Sequence, residues 1–289
     1  MKTFLLLICI ALGIMIPQAH VLSFLIQYNL MALLLFAFLS LTLDRKIIRK
    51  NHFYILAANI AIPFLFYFLF KKFDSNLALA AFITGISPTA VSAPAVIYQL
   101  KGKVEFTTFA VLLNNLAISI IIPFLLPLVI DAKVEINTGS VLLPVIMVIG
   151  VPFLLVQLIR KFTPRLEKKL IQWQGAAYYI LLFTLFLATA KATRFISADY
   201  EGPKLIVYLI ALSSLIICLF SFFVGSRLGG KELKQEAMQS LGQKNNSLTV
   251  WIALTFINPL TALGPVFYIL YHNIIISIQL YLHGKGLKS

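Results

Sequence analysis

Acidic side chains are scarce. The chain has 289 residues but only ten Asp or Glu, against 24 Lys or Arg. No carboxylate falls in the interior of a long apolar run, and Glu232 and Glu236 stand one to three turns ahead of the polar stretch at 240–249. This removes the paired-Asp and His–Glu constellations on which intramembrane proteolysis depends. No His/Cys/Asp cluster has metal-ligand spacing, no glycine-rich phosphate loop is present, and no segment is long enough to be a nucleotide-binding domain. The sequence therefore offers no enzyme active site, no metal site, no cofactor site and no direct use of ATP. The two cysteines, Cys9 and Cys218, both lie in apolar runs. They read as small apolar fillers, not as a disulfide.

Hydrophobicity is what the chain has in abundance. Apolar residues make up 60% and charged residues 12%, which is the balance of a polytopic membrane protein. Spanning segments must satisfy their own backbone groups, so they are helices or closed barrels. The runs here are long and lack period-two alternation, which selects helices. The net charge of +14 lies in short loops between apolar segments. It sets orientation in a bilayer and does not mark a nucleic-acid partner.

Ten spans are expected. The first, 3–17, resembles a signal peptide but lacks a small-x-small cleavage site, so an uncleaved span is preferred. Spans 20–43 and 52–70 follow, the latter with a kink expected at Pro63. Segment 76–100 is interrupted by TGISPTAVSAP, where Gly85, Ser87, Pro88, Thr89, Ser92 and Pro94 fall within ten residues. Proline removes a backbone donor and clashes with the preceding turn, so two half-helices with an unwound join are expected; the plainer alternative is a kink. The remaining spans are 104–130, 140–160, 170–194, 205–226, 232–257 (broken at 241–246) and 261–283. Trp173, Tyr178 and Tyr179 are expected interfacial anchors. Lys191 is assigned to the loop after span seven. On this parse seventeen Lys or Arg fall on one side and six on the other, with Lys244 left in the membrane. The bias predicts an inner (plasma) membrane protein with both termini in the cytoplasm.

The stretch LLNNLAISI (112–120) matches LYHNIIISI (270–278) at an offset of 158, including Asn115/Asn273 and Ser119/Ser277, with Asn114 opposite His272. The match predicts two repeats, 1–134 and 135–289. Each holds five spans, and an odd number inserts the second repeat upside down. Inverted five-span repeats with a broken helix in each half place a solute site at the midplane, where the breaks meet.

Lys244 is the sharpest polar feature. A cation at the bilayer centre costs about 2.5–3.5 kcal/mol on insertion scales. With no carboxylate available, its partners are expected to be carbonyls of the broken spans or the side chains of Asn114, Asn115 and Asn245. It could bind an anion, stand in for a coupling cation or release a proton; alternatively it snorkels or tethers the break. The asparagines, including Asn246 and Asn273, could serve a solute or join helices. His272 could relay protons or simply be packed.

These features resemble the bile acid:sodium symporter family. The resemblance is carried by ten spans in inverted repeats with spans four and nine broken, Gly242 and Asn245 in LGQKNNS, YHN at 271–273, and the KGKV turn at 101–104. It implies a core domain of spans 3–5 and 8–10 and a panel of spans 1, 2, 6 and 7. It further implies alternating-access transport of a small organic anion, such as a bile acid, sulfated steroid or small carboxylate, bound where spans four and nine cross. Thr89, Asn114, Asn115, Lys244, Asn245, His272 and Asn273 are the candidate solute-binding residues. Lys244, Thr107, Ser240, Gln243 and His272 are the candidate ion-coupling residues.

The family's sodium ligands are mostly replaced. Ser240 and Lys244 stand where it has Glu and Gln, Ala93 and Pro94 where it has Ser–Asn, Val111 where it has Thr, and Thr107 where it has Ser. A fixed positive charge repels Na⁺ strongly in a low-dielectric site, so Lys244 is expected to substitute for the coupling ion. Transport would then be sodium-independent, facilitated or proton-coupled. A channel or a solute-binding receptor on the same scaffold is the alternative. Substrate identity and oligomeric state are not encoded legibly.

Overall fold

The computed structural model describes residues 2–39, 48–130 and 138–286, and every regular element among them is helical, without a β-strand. In chain order the α-helices are α1 (Lys2–Met15), α2 (Leu25–Leu39), α3 (Lys50–Lys71), α4 (Ser75–Gly85), α5 (Ala93–Gln99), α6 (Val104–Val129) and α7 (Thr138–Phe162). They continue as α8 (Pro164–Gln172), α9 (Ala176–Ala198), α10 (Leu205–Leu228), α11 (Lys234–Gly242), α12 (Asn246–Ile252) and α13 (Leu263–Gly284). A 3₁₀ turn at Pro17–Leu22 precedes α2, and a π-helical stretch at Ala253–Ile257 follows α12. Asp44, Arg45, Lys46, Lys133, Lys288 and the expected repeat boundary at 134/135 lie outside the described residues.

Six helices are long and apolar enough to cross a membrane: α3, α6, residues Val141–Phe162 of α7, α9, α10 and α13. Shorter apolar helices cover Phe4–Met15, Leu25–Leu39, Ser75–Gly85 and Asn246–Ile257. Large apolar side chains such as Phe68, Phe124, Leu128, Leu143, Leu154 and Tyr208 point outward, as a lipid environment demands and water does not. Trp173 and Tyr179 are likewise exposed. The molecule is an all-helical, multi-pass membrane protein.

Two compact units divide the chain, and each draws on both of its halves. The first comprises Met1–Leu41, Ser119–Glu201 and Val250–Ala262. Within it α1 packs on α9, and α2 packs on α7 and α9. Gly13 makes the α1–α9 approach possible: a Cβ there would lie 2.7 Å from the Phe186 carbonyl oxygen and 2.8 Å from Thr189 Cβ. Small residues allow such backbone contact in membranes, where no hydrophobic force between helices exists. Arg160 closes the end of α2. Its Nη2 donates to the carbonyls of Phe38 and Leu39 at 3.1 Å each, and its Nε to Glu167 of α8 at 3.0 Å. A cation satisfying terminal carbonyls also opposes the negative end of the helix dipole.

The second unit comprises Thr42–Ile118, Gly202–Thr249 and Leu263–Ser289. Here α10 packs on α11, α13 and α4, and α3 packs on α4. Ile55, Ile62, Phe66, Phe106, Phe222, Leu241 and Tyr268 form the apolar core. α4 begins at Asp74, whose carboxylate accepts from the Leu77 amide at 2.8 Å, an N-cap. It ends at Gly85, three residues before Pro88. α11 ends at Gly242, which lies flat on Phe222: an added Cβ would come within 2.5 Å of that ring.

α3 is continuous from Lys50 to Lys71 with Pro63 inside it. Two expectations change. Span seven does not begin at 170: residues 164–172 form the separate, largely exposed helix α8, and the chain turns at Trp173–Gly175 before α9. Lys191 is not a loop residue but lies inside α9. The helical pattern of α9 runs on past Lys191 and Arg194, where the charges had suggested an end.

Candidate functional site

Both expected breaks are present, and they meet. The first runs from Ile86 to Ser92, between α4 and α5; the second from Gln243 to Asn245, between α11 and α12. Their backbones pair antiparallel at Thr89 and Lys244. The Ala90 amide donates to the Gln243 carbonyl at 2.9 Å, and the Asn245 amide donates to the Pro88 carbonyl at 2.7 Å. Each break thus satisfies backbone groups that the other leaves orphaned, as a buried segment without water requires.

Side chains bind the crossing further. Ser87 Oγ donates to Asn246 Oδ1 at 2.7 Å and lies 2.5 Å from Thr249 Oγ1. Thr89 Oγ1 donates to the Ser240 carbonyl at 2.5 Å. Asn115 Nδ2 reaches from α6 to the Thr89 carbonyl at 2.8 Å and also bonds Val111 O of its own helix at 2.8 Å. Tyr268 of α13 donates to the Gly242 carbonyl at 2.8 Å.

Lys244 lies at the centre and is only 2% exposed. Its Nζ donates to Asn59 Oδ1, to the Gly85 carbonyl at 2.7 Å and to the Ser87 carbonyl at 3.3 Å. Gly85 is the last residue of α4, so the ammonium sits at the negative end of that half-helix. An ammonium has three donors and no acceptor, and three oxygens meet this one. The acceptors are neutral oxygens including carbonyls of a broken helix, as expected. The side-chain partner is Asn59 of α3, not Asn114, Asn115 or Asn245. Asn114 stands one step behind, its Oδ1 accepting from Asn59 Nδ2 at 3.3 Å and its own Nδ2 donating to Ala110 O at 2.9 Å.

The other candidates divide. His272 is buried, and its Nδ1 lies 3.5 Å from the Lys244 amide. Asn245 is half-buried, and its side chain makes no hydrogen bond among the described residues. Gln243 is buried, donating to Gln239 Oε1 at 2.5 Å and accepting from Ser92 Oγ at 3.4 Å. Ser240 Oγ is turned back to the Glu236 carbonyl at 2.7 Å. Thr107 Oγ1 is buried without a hydrogen-bond partner among the described residues. Asn273 is not drawn into the crossing; its Nδ2 bonds Ile269 O of its own helix at 2.7 Å. Glu236 is buried as well, yet its Oε1 accepts from the Lys103 amide at 2.7 Å and fixes the turn after α5.

Asn59, Ser87, Asn246 and Thr249 thus join the site by contacts that spacing did not disclose. A lone Asn in a long apolar helix was the available signal for Asn59.

Chemically, the arrangement is a polar crossing sealed from water, with a cation fixed among oxygens that would otherwise attract one. The ammonium uses the Gly85 and Ser87 carbonyls at the end of α4. Residues 12–199 match the model of one protein family, described as the Sodium Bile acid symporter family. The matched stretch holds the first break and ends before the second. No curated protein matches the chain.

Proposed function

The chain belongs to the sodium bile acid symporter family, whose members are membrane transporters, and from that membership we propose that it carries a small organic anion across the membrane by alternating access without needing Na⁺. In this reading ten membrane crossings form two inverted repeats, and the crossing of the breaks is the fixed point around which access alternates. The anion is a carboxylate, sulfate or sulfonate of bile-acid-like or smaller size. Both termini lie in the cytoplasm.

The observation that carries the sodium-independence is the Lys244 ammonium, held by Asn59, Gly85 and Ser87. In broken-helix transporters, unwound carbonyls and half-helix C-termini are the places where coupling cations are held. Here such a place is occupied by a charge that belongs to the chain. Two like charges a few ångströms apart repel by about 4 kcal/mol or more at an effective dielectric constant near 20, so a bound Na⁺ next to Lys244 is disfavoured.

The test is uptake of radiolabelled taurocholate and short carboxylates into proteoliposomes, with Na⁺ replaced by choline. Equal uptake in the two media supports the reading. A strong Na⁺ requirement in the wild type that disappears in Lys244→Gln overturns it. The complementary expectation is that Lys244→Gln, which swaps the ammonium for a neutral amide, is stabilised by added Na⁺ while the wild type is indifferent.

A further inference from the structure

We propose that Lys191 is the residue that recognises the charged end of the transported solute, and that a carboxylate or sulfonate takes the place of its bond to Leu254. The proposal rests on the organic-anion reading above. It assigns the anion to a lysine other than Lys244, whose three donors are already used.

Lys191 lies in α9 seven residues before the helix ends at Ala198. At 1.5 Å per residue that is about 10 Å of helix, and the Cα–Cβ bond tilts further toward the N-terminus. The stem is too short to carry the ammonium past the end of α9. The side chain is half-buried. Its Nζ meets a single acceptor among the described residues, the Leu254 carbonyl at 3.4 Å, which is the weak end of the hydrogen-bond range. Two donors of the ammonium therefore have no protein partner among the described residues.

No carboxylate neutralises it. The ion pairs among the described residues are Arg49–Glu232, Arg160–Glu167 and Arg194–Asp199. The last uses the acidic group closest in sequence, Asp199, eight residues further on. A cation inside a membrane helix without a counter-charge is costly and marks a ligand pathway. A carboxylate or sulfonate would supply both the missing charge and the missing acceptors in charge-assisted bonds.

The acceptor that Lys191 does have is informative. Leu254 lies in the π-helical stretch Ala253–Ile257, and single π turns in α-helices occur often at functional sites. That stretch continues α12, which starts two residues after Lys244. An anion that draws the ammonium off Leu254 frees a carbonyl on the same chain segment that carries the second break. Solute recognition and the crossing are then joined through one element.

The experiment uses the purified full-length protein in detergent and compares wild type, Lys191→Gln and Lys191→Arg. Binding and melting are followed with taurocholate, cholate and hexanoate, and with the uncharged amide of cholate. The expected result is about a tenfold or greater loss of anion affinity in Lys191→Gln. Lys191→Arg should retain most of the affinity, ligand-free melting should be little changed, and the neutral amide should bind wild type and Lys191→Gln alike. Equal anion affinity in wild type and Lys191→Gln overturns this assignment and leaves the organic-anion reading standing. A loss that tracks lower ligand-free melting, unrescued by arginine, also overturns it, since the residue is then structural. Wild type that binds the amide but none of the anions overturns the organic-anion reading and this assignment together.

Discussion

Lys191 lies within a long apolar helix and Lys244 in the break between two shorter ones, and their surroundings differ in kind. Lys244, in the second unit, is shut away at 2% exposure with three oxygens on its ammonium. Lys191, in the first unit, is half-open with one distant carbonyl. The same side chain is thus used as a finished structural charge in one place and as an unfinished one in the other. What separates them is burial together with the count of satisfied donors.

The sharpest way to break the contrast is to delete the saturated charge. Lys244→Met leaves the Gly85 carbonyl and Asn59 Oδ1 buried without this donor, while the Ser87 carbonyl keeps Asn59 Nδ2 at 3.2 Å, and each buried acceptor left unpaired costs about 1–3 kcal/mol. A large fall in melting temperature and loss of uptake are expected; a variant as stable as wild type would show that the ammonium is not integral to the crossing. Gly242→Ala comes next. Its Cβ meets the Phe222 ring at 2.5 Å, and overpacking of this sort costs about 1–3 kcal/mol, read as a lower melting temperature.

Asn115 and Asn273 test the repeat against the site. They occupy matched positions, but only Asn115 reaches the other break. Asn115→Ala should cost about 1–2 kcal/mol by leaving the Thr89 carbonyl unpaired, whereas Asn273→Ala should cost about 0.6 kcal/mol or less. Equal losses would mean that sequence equivalence, not contact, sets the energetics. The smallest stability effect belongs to Lys191→Gln: loss of one long bond should move melting by less than the Asn115 change, while anion binding falls.

The breaks were legible because they are written in local chemistry: Gly85 loosens a helix, Pro88 and Pro94 lack the donor that would continue one and suit a helix start, and a polar run at 240–249 cannot cross lipid unaided. Their mutual pairing was not, since Thr89 and Lys244 lie 155 residues apart and the bonds run between their neighbours, Ala90 to Gln243 and Asn245 to Pro88, through backbone atoms that all residues share. The acceptors of Lys244 were half readable. Missing carboxylates pointed to carbonyls, but Asn59 was hidden, since one Asn in an apolar helix looks like any helix–helix bond. Lys191 was misplaced because charge was taken to mark the end of a span, and α8 was merged with span seven because Leu170, Ile171 and Trp173 extend the apolar pattern across the turn at 173–175.

A cation grafted onto the polypeptide cannot dissociate into either compartment. On the proposed mechanism the cycle therefore has no step in which Na⁺ leaves downhill, and no sodium gradient flows through the Gly85–Ser87–Asn59 clasp. If the ammonium keeps its proton throughout the cycle, such a carrier relaxes the solute toward its own electrochemical balance; if it releases the proton, the proton gradient sets the direction.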